Sequence, residues 1–206
     1  MERRFFSIKM SFKAFPINRR YAYTWQHHQA RYVFALSYCF RKIVLDAGSQ
    51  MGFGAHQISY VANKVILSDI NLKALTMAQE LNKFMCPTEF IQADYEKEFP
   101  DVKNLDIVTA FEVIEHLHDP NLFLQNIKKS LKLGGRLIFS VPHMVMAQDH
   151  KQLYDEKKIK NLISKYFTIE SFYIQDSTPI SNRPMYKGLK CYVGVAIKKD
   201  ENNKKV

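Results

Sequence analysis

A chain of 206 residues is long enough to bury the sheet of one α/β domain and too short for two ordinary domains with a linker. Its composition, 47% hydrophobic and 13% aromatic, is that of a globular protein, and its apolar runs fall far short of the roughly 20 residues that a membrane-spanning helix requires, so no membrane span is expected. The formal net charge of +10 suits an anionic partner such as RNA, DNA or a phosphorylated substrate, but lysines spread along helices and through the tail "KKDENNKKV" equally describe a solvated face.

In chain order, residues 1–31 interleave Arg3, Arg4, Lys9, Lys13, Arg19, Arg20 and Arg31 with Phe5, Phe6, Phe12, Phe15, Tyr21, Tyr23 and Trp25. Such an arm stacks on bases, covers a pocket, or simply packs on the domain. Charges interrupt it every few residues, leaving no apolar signal core, so a cytoplasmic protein is expected. Short β-branched or aromatic runs then follow at "KIVLDA" (42–47), "KVILSD" (64–69), "TEFIQAD" (88–94), "LDIVTAF" (105–111) and "GRLIFSVP" (135–142), each nearly free of charge, as strands buried on both faces should be. Helical spacing appears over 71–84 and over 119–135, where Asp119 is placed to cap, Pro120 sits in the first turn and glycines mark the stop. Beyond Pro142 the spacing predicts a helix over 155–167 and two strands, 168–174 and 190–199. The alternation predicts a doubly wound, mostly parallel seven-stranded α/β sheet with an antiparallel edge, one domain spanning 1–206. Cys39, Cys86 and Cys191 are odd in number and form no CxxC pair, so they read as reduced core thiols without chemistry.

In such sheets ligands bind beyond the carboxyl ends of the strands, and the turn after the first strand, "VLDAGSQMGFGAHQISY", carries Gly48, Gly52 and Gly54 where backbone must approach a ligand closely. The dinucleotide fingerprint G-x-G-x-x-G fits this spacing poorly, and no Gly-Lys-Ser/Thr follows to make a phosphate loop. The stretch resembles the first motif of class I S-adenosylmethionine-dependent methyltransferases, with Asp46, Gly48 and Gly52 matching and Gln50 standing where the middle glycine is usual. The resemblance runs in register from about Arg31 to Pro142, and within the family it is nearest to the ubiquinone-biosynthesis type. It implies a Rossmann-like fold, S-adenosyl-L-methionine as cofactor, and an N-terminal helix that, with the arm (1–40), covers the cofactor site. It further implies that Asp69 accepts both ribose hydroxyls and Asp94 the adenine amino group, that Ile70 and Tyr95 sandwich the ring, and that Phe111 and Glu112 stand at the methionine end, with Arg31 reaching the cofactor carboxylate. Each has a plainer reading: Asp69 and Asp94 as helix caps, Tyr95 and Phe111 as core aromatics, Arg31 as a helix-surface cation. A side chain at Gln50 would narrow the methionine pocket, or leave a protein that binds cofactor without turnover.

The run "EVIEH", if helical, places Glu112, Glu115 and His116 at i, i+3 and i+4 on one face. Two acids that close repel, and a divalent metal would relieve them; the same E-x-x-E-H occurs in small-RNA 2'-O-methyltransferases and some quinone O-methyltransferases, with a further histidine downstream, here His150. The alternative is that a helix N-terminus stabilises the acids and His116 packs against a neighbour. His116, His143 and His150 are also the candidate general bases. The expectation is therefore methyl transfer to an oxygen or nitrogen of a small-molecule acceptor. The alternatives are a metal-dependent RNA 2'-O-methyltransferase and an inactive cofactor binder.

Overall fold

The computed structural model describes residues 19–145, 147–175 and 191–199, residues 19–24 through their backbone alone. The basic-aromatic arm before Arg19 lies outside the described residues, as do most of the aromatic and basic side chains singled out there.

The chain opens with α1 (Arg19–Cys39) and then alternates: β1 (Ile43–Ala47), α2 (Phe53–Ser59), β2 (Lys64–Asp69), α3 (Leu72–Leu81), β3 (Thr88–Gln92), β4 (Leu105–Phe111), a three-residue 3₁₀ turn (Ile114–His116), α4 (Pro120–Ser130), β5 (Leu131–Pro142), α5 (Glu156–Ser164), β6 (Phe167–Gln175) and β7 (Cys191–Lys198). The seven strands form one sheet in the order β3-β2-β1-β4-β5-β7-β6. β1 to β5 are parallel, and β7 lies antiparallel between β5 and β6. The antiparallel strand is thus the penultimate one, and β6 forms the edge. Successive strand residues face opposite sides, which explains the unbroken apolar runs. Val44, Val65, Leu67 and Ile138 pack against Ala35, Ile58, Leu75 and Ala78 of α1, α2 and α3. Leu45, Ile66, Leu137 and Phe139 pack against Phe123, Ile127, Ile159 and Ile163 of α4 and α5.

Three helices start on capping side chains: Asn71 accepts from the Ala74 amide, Asp119 from Asn121 and Leu122, and Asp155 from Lys158. The expected helix over 119–135 ends at Ser130, because Leu131 already pairs with Leu105 of β4; Gly134, at φ 76°, lies where the register shifts before Arg136 pairs with Ile107. Strand order reverses between β1 and β4, so the segments leaving them diverge and open a crevice at their carboxyl ends.

Candidate cofactor and acceptor site

Three residues of the turn after β1 sit in left-handed backbone: Gly48 and Gly52, both at φ 72°, and Gln50 at φ 47°. The glycines are required by the chain's own packing. A Cβ on Gly48 would stand 2.6 Å from Val113, and one on Gly52 would stand 2.8 Å from Leu67 and 2.9 Å from Ala78. Gly54 leaves room for the ring of Tyr32, whose Cζ would lie 2.0 Å from an added Cβ. Gln50 accepts its strained conformation with its side chain exposed.

Asp69 ties the turn to β2. Its Oδ2 accepts from the Gln50 amide (2.8 Å) and its Oδ1 from the Asn71 amide (2.9 Å), while the cap of α3 is Asn71 rather than Asp69. A carboxylate has about four acceptor positions, so two remain for a ligand. Ile70 beside it is exposed. Asp94 is held by Lys97 (2.9 Å) and by the Glu96 amide (3.1 Å), and the Lys97 bond, ahead of the amide, holds its carboxyl below the usual range. Tyr95 departs from expectation. Its ring is buried against Phe99 and Phe123, at centroid distances of 5.5 and 4.9 Å, and its hydroxyl donates to the Ser68 carbonyl (3.4 Å), so it belongs to the core cluster, as its plainer reading had it.

At the end of β1, fully buried Asp46 accepts from Thr109 Oγ1 (2.6 Å) and from the Tyr32 hydroxyl (3.2 Å). Burial pushes its carboxyl up to about 7, against the pull of the two hydroxyls and with Asp69 adding to the rise. Tyr32 also packs edge-on against Phe111, at 4.9 Å. Helix α1 therefore covers this end of the sheet with Tyr32 and Arg31. Arg31 is buried and lies 3.4 Å from Glu112 Oε1, with its Nη1 donating to Cys191 Sγ (3.1 Å) and Gln175 Oε1 (3.3 Å). Glu112 also accepts from the Cys191 thiol (3.0 Å) and the Ser140 hydroxyl (3.3 Å). Burial raises the Glu112 pKa, but Arg31, Cys191, His28 and Ser140 together outweigh it and leave the carboxyl below its ordinary value. Desolvation, and then Arg31, push His28 down to about 4, so its imidazole is neutral at physiological pH.

The "EVIEH" run does not form one helical face. Glu112 has φ 57°, outside any right-handed helix, and only Ile114–His116 make a 3₁₀ turn. Glu112 is thereby turned to Arg31, and the group brought together is Glu115, His116 and His150, one ligand atom of each within 4.8 Å of the others. Glu115 is fully buried and, among the described residues, neither carboxylate oxygen has a hydrogen-bond partner; burial, and then Glu112, push its carboxyl up to about 9. His150 Nδ1 lies 2.8 Å from the Val145 carbonyl and His116 Nδ1 3.3 Å from the Asp149 carbonyl. A carbonyl only accepts, so both Nδ1 atoms carry a proton, and in the neutral imidazoles the lone pairs lie on Nε2. His143, the third candidate base, instead bonds through Nδ1 to the Tyr192 hydroxyl (2.6 Å).

Sequence reasoning missed Tyr32, Thr109, Ser140 and Gln175, and it read Cys191 as a silent core thiol. Thr109 and Ser140 left a signal, each as a hydroxyl set among the apolar residues of its strand run.

Residues 45–139 match the family described as a methyltransferase domain. A Mycobacterium tuberculosis protein named "Probable S-adenosylmethionine-dependent methyltransferase" is 32% identical over 124 residues, 60% of this chain and 44% of that protein. A ubiquinone biosynthesis O-methyltransferase of Aliivibrio fischeri is 32% identical over 104 residues, 49% of this chain and 44% of the relative. The chain thus spans less than half the length of these relatives. Among solved structures, the N-methyltransferase NodS of Bradyrhizobium japonicum, in complex with S-adenosyl-L-homocysteine, superposes with a TM-score of 0.68 at 15% identity, covering 86% of this chain and 87% of NodS. A methyltransferase of Haloferax volcanii, in complex with its Trm112 activator, reaches 0.72 at 13% identity over 86% of this chain and 93% of its own. These two likenesses establish the fold. Among the described residues, no helix of this chain is long and apolar enough to cross a membrane.

Proposed function

We propose that residues 1–206 act as one methyltransferase unit in the cytoplasm, moving a methyl group from S-adenosyl-L-methionine to an oxygen or nitrogen of a small-molecule acceptor. The observation that carries the reading is Asp69: a buried carboxylate at the carboxyl end of β2, already aligned by the Gln50 and Asn71 amides, with acceptor positions left for two vicinal hydroxyls. Exposed Ile70 offers an apolar face to the adenine on one side, and Asp94 an acceptor for its amino group. Tyr32, Phe111 and the Arg31–Glu112 pair close the methionine end and exclude water from it. When bound, the cofactor supplies an electrophilic methyl group, so the residues of this chain chiefly orient and desolvate. The exposed Gln50 side chain favours turnover over inert binding. The free thiols among the described residues accord with a reducing compartment.

The metal reading also has a specific observation behind it. A fully buried carboxylate without a partner is costly, and a divalent cation is the group that would satisfy it beside two imidazoles whose Nε2 atoms are free to ligate. Glu115, His116 and His150 would hold the ion, and it would lower the pKa of an acceptor hydroxyl. Without a metal, His116 or His150 would take the acceptor's proton through Nε2.

Isothermal calorimetry with S-adenosylhomocysteine tests the cofactor reading. Wild-type protein is expected to bind, and Asp69→Ala to bind at least about tenfold more weakly, the loss of two hydroxyl hydrogen bonds to a charged acceptor. Unchanged affinity in the variant, or no binding by wild type, refutes it. Titration with Co²⁺ followed by visible absorbance tests the metal reading, with His150→Ala expected to abolish the ligand-field bands.

A further inference from the structure

A cleft of about 510 Å³ opens between the start of α4 and the flank of α5, away from the glycine turn; its walls include Asn121, Gln152, Tyr154, Lys157, Lys158 and Lys165. Its size falls within the ordinary range of small-ligand sites. We propose that this cleft binds the phosphate or pyrophosphate group of a compact phosphorylated acceptor.

The argument lies in how the lysines are held. Several lysines elsewhere are paired with carboxylates, Lys64 with Glu89 (2.7 Å), Lys97 with Asp94 (2.9 Å) and Lys132 with Asp106 (3.2 Å), while Lys198 and Lys199 donate to backbone carbonyls. In the cleft they are oriented by neutral amides. Lys158 Nζ donates to Gln152 Oε1 (3.2 Å) and lies 5.1 Å over the Tyr154 ring, and Lys165 Nζ donates to Asn121 Oδ1 (3.3 Å). An amide oxygen fixes the direction of an ammonium group without cancelling its charge. Asp155, the carboxylate in the wall, is committed to capping α5 through the Lys158 amide (2.6 Å). His118 at the rim is engaged by Glu96, at 3.5 Å. Three lysines on the α5 side against the single carboxylate of Asp155 therefore leave the cleft with an excess of positive charge, and ammonium groups suit the several oxygens of a phosphate.

The cleft also adjoins the acceptor side of the proposed active site. The Lys151 and Gln152 amides donate to the Glu115 carbonyl (2.8 and 3.0 Å), so the segment that supplies Gln152 and Tyr154 to the cleft is tied to the Glu115 cluster. A molecule anchored by its phosphate in the cleft would extend toward that cluster. The phosphate site stands on the cleft alone; its identification with the acceptor rests on the methyltransferase reading.

The test is a titration of the ¹⁵N-labelled full chain with inorganic pyrophosphate, following amide shifts. Saturable shifts are expected at Asn121, Lys158 and Asn161, with Lys158→Gln and Lys165→Gln each weakening binding about 5- to 10-fold and Lys103→Gln leaving it unchanged. Shifts scattered over every lysine-rich surface, or full affinity in Lys158→Gln, overturn the site. An RNA of about ten nucleotides that binds more tightly than pyrophosphate, with shifts running beyond the cleft, overturns the compact ligand in favour of a strand. S-adenosylhomocysteine added to the same samples separates the two readings. Pyrophosphate failing while the cofactor binds removes only the phosphate site. The cofactor failing while pyrophosphate binds removes the acceptor assignment.

Discussion

Asp46→Asn should make the protein more stable than wild type at neutral and alkaline pH and no more stable at acid pH. The Asp46 carboxyl is fully buried between Thr109 and Tyr32, and burial lifts its folded-state pKa from 3.8 to about 7. At pH 3 and below, folded and unfolded chains both hold the proton for the most part, and the contribution of the neutral acid is intact. As pH rises, the unfolded carboxyl ionises freely while the folded one keeps its proton, so stability is lost progressively until the folded group also ionises near pH 7. The interval is about three pH units at about 1.4 kcal/mol each, so Asp46 withdraws on the order of 4 kcal/mol between pH 4 and pH 8. Asparagine keeps the shape, accepts from Thr109 and lacks the titration. Urea unfolding of both proteins at each pH gives the assay. The difference between the two curves isolates Asp46, because other buried acids such as Glu115 titrate alike in both. If that difference changes by less than about 1 kcal/mol over the range, the 2.6 Å bond from Thr109 and the Tyr32 hydroxyl outweigh burial, Asp46 is ionised in the fold, and the reasoning fails.

Gly54→Ala drives a Cβ into the Tyr32 ring and should cost about 1–3 kcal/mol in urea unfolding, with Tyr32→Leu in the same chain recovering part of the loss. Arg31→Met strands Glu112 as a buried charge and should destabilise by about 3–5 kcal/mol, whereas Arg31→Met with Glu112→Gln should be far milder; an equal cost in single and double variants would show that the pair is not coupled. Because Glu112 faces Arg31 and lies outside the Glu115 cluster, Glu112→Gln should leave Co²⁺ affinity within about threefold of wild type, while His116→Ala lowers it at least about tenfold.

The strands were legible because burial on both faces writes itself as uninterrupted apolar runs, and 64–69 and 105–111 match β2 and β4 residue for residue. Asp119 before Pro120 announced α4, but its end was misplaced by five residues, since the long-range pairing of Leu131 with Leu105 decides where the helix stops and leaves no local mark. The site was legible where a motif is local, as in the turn from Asp46 to Gly54. It was opaque where it depends on partners distant in sequence: Tyr32 on Gly54, Arg31 on Cys191 across 160 positions, Tyr95 turned inward onto Phe123. Glu112 shows the difference most clearly. Helical spacing would align it with Glu115, yet its backbone turns left-handed where its amide bonds to Ser140, and one residue's φ sends the two carboxylates to separate tasks. Glu112 becomes the counter-ion of α1, and Glu115 is left unpartnered beside two imidazoles. That division ties α1 to the candidate site, since the charge holding Arg31 in place sits on the same loop as Glu115 and His116, two of the three candidate metal ligands.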